Sequence, residues 1–179
     1  MFINESAANE RTGNRRYGWA PIGQQATAIS LLARSERYSI LPAYTIDRYI
    51  ATAIHKGSIT RDIYFTFIQN EVLPHCNPWP APRLVLVMDN ASIHHNPKFR
   101  AMVAAAGVIL EYLPLYSLDF NPIELSFHKL KAWIRRNRQL INDFDDFGLF
   151  LKFAVDSCSS WKQAIGHFRR CFVDVTGHD

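Results

Sequence analysis

Two carboxylates in this chain sit where metal-assisted phosphodiester chemistry would place them. Asp89 ends the apolar run Leu84–Met88, and Glu124 falls in the first turn of a long basic helix; 34 residues lie between them (124 − 89 = 35). Such chemistry needs acidic oxygens that converge from separate elements of a rigid scaffold. Each residue also has a plain structural reading. Asp89-Asn90 is ordinary turn chemistry. Asn121-Pro122-Ile123-Glu124 is a well-formed helix start, with Asn as N-cap and Pro at the first position, and a glutamate at the third position can simply close a capping box. His94 and His95 are weaker candidates. Adjacent histidines diverge in a loop, and no Cys or His lies at zinc spacing from them.

The helix that carries Glu124 separates into two stripes when its residues are placed at 100° steps. Ile123, Phe127, Leu130 and Ile134 form one stripe, which should face a core. Glu124, His128, Lys131, Arg135 and Arg138 form the neighbouring stripe, so that a carboxylate heads a row of cations. A solvated polar face with i,i+4 pairs would look the same. A metal ligand beside a track for phosphate backbone is the sharper reading, and the five positive residues within Lys129–Arg138 favour it.

The elements that must position these residues follow from periodicity and breakers. MFI is a three-residue apolar stub before Asn4. Thr12-Gly13-Asn14 predicts a turn, with Arg15 to Trp19 returning as a hairpin arm. Strands are predicted over Ala26–Ala33, Tyr38–Tyr44 and Arg48–His55, then a helix over Asp62–Leu73 that Pro74 stops. Leu84–Met88 reads as a strand buried on both faces. Pro97–Ala106 reads as a helix closed by Gly107, and Val108–Leu113 as another strand. The long helix runs from about Pro122 to Arg138, and two helices, Asp145–Ser157 and Ser160–Val173, close the chain. Antiparallel strands, then β-α-β-α, then helices describe a mixed α/β sheet with helices packed on its faces.

Composition sets the class. The 179 residues are 48% hydrophobic and 20% charged, which is globular rather than disordered, with a mild net charge of +4. The three cysteines, Cys76, Cys158 and Cys171, have no CxxC spacing, so reduced thiols are expected rather than a disulfide framework or zinc site. No apolar run approaches the roughly 18 residues of a membrane span, and the N-terminus lacks the pattern of a secretory signal. These features point to a cytosolic or nuclear protein without membrane partners.

The blocks NESAANERTGNRRYGWAPIG, RLVLVMDNASIHH and LPLYSLDFNPIELSFHKLKAWIRR, in that order, resemble the DDE transposase domain of the Tc1/mariner superfamily, in a form similar to fungal elements. The 34-residue separation is the spacing of that superfamily's second and third acidic residues. The resemblance covers residues 1 to about 138, with residues 139–179 as C-terminal helices packing on the same domain. It implies an RNase H-like fold: a mixed five-stranded sheet, its first three strands antiparallel, with helices on both faces. The family's reaction is hydrolysis of a phosphodiester at the element's ends, then attack of the freed 3′-OH on target DNA. Two Mg²⁺ (or Mn²⁺) ions serve that reaction, and hard cations want oxygen ligands.

Carried over by position, Asp89 and Glu124 would be metal ligands and catalytic residues. The first acidic position, an aspartate in the family's DES block, is Asn4 in Asn4-Glu5-Ser6. Asparagine keeps one carbonyl oxygen and loses the charge. Glu5 should face away, because side chains alternate along a strand, unless a bulge or register slip intervenes. Weak metal binding and little or no cleavage are therefore expected. The family's first strand is longer and follows helix-turn-helix domains; here the strand begins three residues before Asn4. Contact with DNA would then rest on Arg11, Arg15, Arg16, Lys131, Arg135 and Arg138, and a homodimer and a nuclear location are implied as in transposases. The competing reading is a non-catalytic nucleic-acid-binding or interaction remnant of a transposase.

Overall fold

The computed structural model describes residues 1–14, 18–27, 36–78, 81–83, 85–90, 96–115, 117–173 and 175. Its strands are β1 (Phe2–Ile3), β2 (Ser6–Ala8), β3 (Tyr38–Tyr44), β4 (Tyr49–Lys56), β5 (Val85–Met88) and β6 (Ile109–Tyr112). Its α-helices are α1 (Arg61–Phe67), α2 (Pro97–Ala105), α3 (Pro122–Arg136), α4 (Phe147–Cys158) and α5 (Trp161–Arg170). Strand β3 pairs antiparallel with β4 and with both β1 and β2, whereas β1, β5 and β6 run parallel.

β1 and β2 are two halves of one strand. Every rung they make with β3 pairs residues whose numbers sum to 46, from Phe2 with Tyr44 to Ala8 with Tyr38. The interruption at Asn4 and Glu5 therefore hides no bulge and no slip. By that register Asn4 lies opposite Pro42, which has no N–H to give the ladder. Counted this way the sheet has five strands among the described residues, the first three antiparallel, as the resemblance implies.

Alternation along these strands divides the core. Phe2, Ala8, Tyr38, Ile40 and Tyr44 pack with α3, α4 and α5 on one face; Ile3, Leu41, Ala43, Leu86 and Met88 pack with α1 and α2 on the other. The four apolar stripe residues of α3, Ile123, Phe127, Leu130 and Ile134, are all buried. Phe150, Leu151, Ala154 and Phe168 bind α4 and α5 into the same cluster.

Several local expectations need correction. Thr12–Asn14 is the end of a 3₁₀ turn over Glu10–Gly13, closed by a reciprocal Asn9/Thr12 capping box. Gly18 and Trp19 carry no strand, and Trp19 is fully exposed; residues 15–17 of the expected hairpin arm lie outside the described residues. Residues 28–33 of the expected strand over Ala26–Ala33 also lie outside them, and Ala26 and Thr27 are not in a strand. Pro74 does not stop the chain's first helix: α1 passes into a π-helical turn, Ile68–Val72, and a 3₁₀ turn, Leu73–His75, where proline occupies the first turn and its missing N–H costs nothing. β5 alternates between half-buried and buried rather than being buried on both faces. α3 ends at Arg136, and Arg138 opens the next 3₁₀ turn.

Candidate functional site

Three elements converge at the C-terminal end of the central parallel strands. Ile3 pairs in parallel register with Met88, so the next residues, Asn4 and Asp89, are lateral neighbours, one strand spacing of about 4.8 Å apart. Each is two residues beyond a side chain of the α3-facing cluster, Phe2 and Val87. Alternation therefore turns both toward α3, whose first turn presents Glu124. Strand ends are where open α/β sheets gather ligand-binding groups.

Glu124 is not spent on its own helix cap. The Asn121 side chain accepts from the N–H of Ile123 at 3.3 Å, and the Asn121 N–H bonds to the carbonyl of Leu118. Oε1 of Glu124 instead accepts from Nδ2 of Asn4 at 2.6 Å, across 120 residues of sequence. That removes the capping-box reading. Burial pushes the Glu124 carboxyl above its ordinary value and Asp89 adds to the rise; Lys131 and the Asn4 amide oppose it. The charge of Asp89 also reaches Tyr64, whose phenol is raised first by burial.

The orientation of the Asn4 amide is fixed by its partners. Only a donor can face the Glu124 oxygen, and Oδ1 accepts the Glu5 N–H at 2.8 Å. Glu5 points to the opposite face, where its Oε1 lies 2.7 Å from Ser39 Oγ. It does not substitute for the missing acid.

A pair of divalent cations does not fit these residues as they stand. The site offers two carboxylates instead of three, the amide turns its nitrogen toward the ligand position, and its one oxygen is already engaged. Among the described residues no three His, Cys, Asp or Glu side chains gather as metal ligands. His94 and His95 lie outside the described residues.

The cationic stripe is present beside the site. Lys131 and Arg135 are half-buried on α3, and His128 and Arg138 are exposed. The aliphatic part of Arg138 packs on Gly13, where an added Cβ would come within 3.1 Å of its Cγ. That contact brings the 3₁₀ turn bearing Arg11 against the end of the stripe, so sequence-distant Arg11 and Arg138 belong to one surface. Arg15 and Arg16 lie outside the described residues. A groove of about 610 Å³ between β4 and α4, lined by Tyr49, Thr52, Lys56 and Lys152 among others, contains none of the candidate residues. Asp89 and Glu124 are both half-buried.

A family model described as "DDE superfamily endonuclease" matches residues 1–147. The chain belongs to that family. Its fold is that of solved Mos1 mariner transposase structures, and it is RNase H-like. The Mos1 paired-end complex with Mn aligns with a TM-score of 0.73 at 15% identity, covering 95% of this chain and 51% of that one. The paired-end complex with Mg gives 0.67 at 19%, over 96% and 52%. The Mos1 catalytic domain with Raltegravir and Mn gives 0.55 at 13%, over 96% and 79%. The chain thus spans about half the length of the first two. No curated protein sequence matches it. No described helix is long and apolar enough to cross a membrane.

Two features of the site escaped sequence reasoning. The amide–carboxylate bond joins residues with no periodic relation. An exposed aromatic pair, Phe120 and Phe172, lies where α5 returns to the loop before α3; its only sequence signal is a phenylalanine where a helix would normally end on glycine.

Proposed function

We propose that this chain is the catalytic-core portion of a Tc1/mariner-type transposase that engages DNA in the nucleus, with metal-dependent strand cleavage and transfer impaired by the amide at Asn4. Residues 139–179 act as part of the same domain. Asp89 and Glu124 are the two carboxylates left of the family's metal-binding set, and with an amide at Asn4 they would hold Mg²⁺ or Mn²⁺ only weakly. Arg11, Arg15, Arg16, Lys131, Arg135 and Arg138 contact phosphates, a task that sets affinity and register and leaves sequence unread. A homodimer is the assembly that this reading implies.

The observation that carries the proposal is the 2.6 Å hydrogen bond from Asn4 Nδ2 to Glu124 Oε1. A charge-assisted bond of this kind contributes about 1.5–3 kcal/mol. A cation binding that carboxylate meets an N–H donor turned toward the site and one less negative charge. The same bond favours a second reading, a non-catalytic nucleic-acid-binding remnant, because it gives the two-acid site a settled structure without metal.

Plasmid nicking by the purified protein in Mg²⁺ or Mn²⁺ tests the proposal. Little or no nicking is expected, together with salt-sensitive DNA binding. Robust nicking that Asp89→Ala abolishes would show that the amide does not impair the site. Recovery of nicking in Asn4→Asp favours the impaired transposase; a variant that stays inert favours the remnant.

A further inference from the structure

The C-terminal end of α5 carries an aromatic ledge beside the candidate site. Helix α5 ends in a Schellman motif: the Phe172 N–H bonds to the Arg169 carbonyl at 3.2 Å, and the Val173 N–H bonds to the Phe168 carbonyl at 3.1 Å. Phe172 therefore occupies the left-handed position, with φ of 61°, that glycine fills at least cost. Its ring gains little packing in return, being 83% exposed. A large apolar ring held in an unfavourable backbone conformation and offered to solvent is not explained by folding.

Among the described residues the ring's aromatic neighbour is Phe120, with centroids 6.2 Å apart and planes tilted by 52°. Phe120 is itself half exposed and directly precedes Asn121, the N-cap of α3. Glu124 is four residues on, no more than about 14 Å of extended chain. Cations lead into the ledge along α5. Arg169 and Arg170 immediately precede Cys171 and Phe172, and Lys129 lies close enough with Arg170 to oppose protonation of half-buried His167. Asp119, which raises the Cys171 thiol after burial does, is the counter-charge on the Phe120 side.

We infer that Phe172 and Phe120 form a stacking platform for an unpaired base of a DNA strand whose phosphates lie along Arg170 and Lys129. Exposed rings interleaved with cations are what single-stranded nucleic acid requires: π-faces for bases and positive charge for the backbone. The inference rests on the DNA-engaging reading above. It adds that a strand reaching the carboxylates is gripped where it is unpaired.

The test compares a blunt duplex with the same duplex bearing a short single-stranded overhang that contains 2-aminopurine. Wild type should bind the overhang substrate more tightly and quench its fluorescence. Phe172→Gly, which suits the left-handed backbone, and Phe172→Leu, which keeps apolar bulk, should both lose that preference, by roughly 5- to 150-fold, the span one stacked base supplies. Phe172→Trp should keep it, and blunt-duplex affinity should stay unchanged in all three. Overhang preference retained in Phe172→Leu, or equal losses on both substrates, would overturn the platform. So would blunt and overhang duplexes binding equally well to wild type, which leaves the DNA-engaging reading intact. Wild type that binds neither would bring down both.

Discussion

Replacing Asn4 by aspartate should destabilise the metal-free protein and make its stability depend on divalent cations. The substitution removes the bond to Glu124 Oε1 and sets a third carboxylate beside Glu124 and Asp89. The lost bond alone is worth about 1.5–3 kcal/mol. Two carboxylates about 4 Å apart at an effective dielectric constant of 20 repel by about 4 kcal/mol. Proton uptake caps the sum, because a crowded group neutralises rather than bear the full repulsion. A net loss of about 2–4 kcal/mol at pH 7.5 follows, or about 5–15 °C in Tm for a chain of this length. The sign of the pH dependence is fixed. Crowding raises the folded pKa values above the unfolded ones, so the folded state holds more protons, and stability falls as pH rises through that window. The deficit relative to wild type should therefore shrink between pH 7.5 and 5. Mn²⁺ at 100 times its Kd should restore about 2.7 kcal/mol to the variant and little to wild type. Differential scanning calorimetry in chelator and in Mn²⁺ at both pH values decides the matter. A variant as stable as wild type in chelator at pH 7.5, with the same response to Mn²⁺, would refute the assignment of this site.

Other expectations can be checked alongside. Glu124→Gln should flatten the part of the stability–pH curve that begins at the ordinary carboxyl value of 4.5 and extends to the raised folded value, where the wild type loses stability as pH rises. His167, depressed first by burial, acts with the opposite sign: wild type should lose stability as pH falls below 6.5, and His167→Gln should lose less, in paired urea titrations. Gly107→Ala should cost about 1–3 kcal/mol, because φ is +71° and an added Cβ would meet Pro78 Cβ at 2.8 Å; a melting curve reads it. Leu130→Ala on the buried stripe of α3 should cost about 2–5 kcal/mol by denaturant unfolding.

The elements were readable in sequence where a single local period governed them. The stripe from Ile123 to Ile134 announced both the helix and its buried face, and the run Leu84–Met88 announced a central strand. The errors cluster where local signals are short or compete. Thr12-Gly13 resembles a hairpin turn, yet the reciprocal Asn9/Thr12 cap draws the same residues into a 3₁₀ turn. Pro74 resembles a stop, yet a proline in the first turn of a new 3₁₀ segment breaks no bond. The stripe of α3 stayed in register only to Arg136, after which the winding changes and Arg138 is carried onto Gly13.

By itself the sequence determined the order of strands and helices from Tyr38 onward, the alternation that turns Asn4 and Glu5 to opposite faces, and the loss of one charge at the first acidic position. These follow from residue type and from periods of 2 and 3.6, which act over a few residues. Tertiary structure alone decided what Glu124 does with its oxygen. A helix cap and a partner on the sheet compete for the same side chain, and only the packing of α3 against β1 brings Asn4 within 2.6 Å of it. It also decided that Phe172 stands in solvent, since exposure depends on what the rest of the chain leaves uncovered.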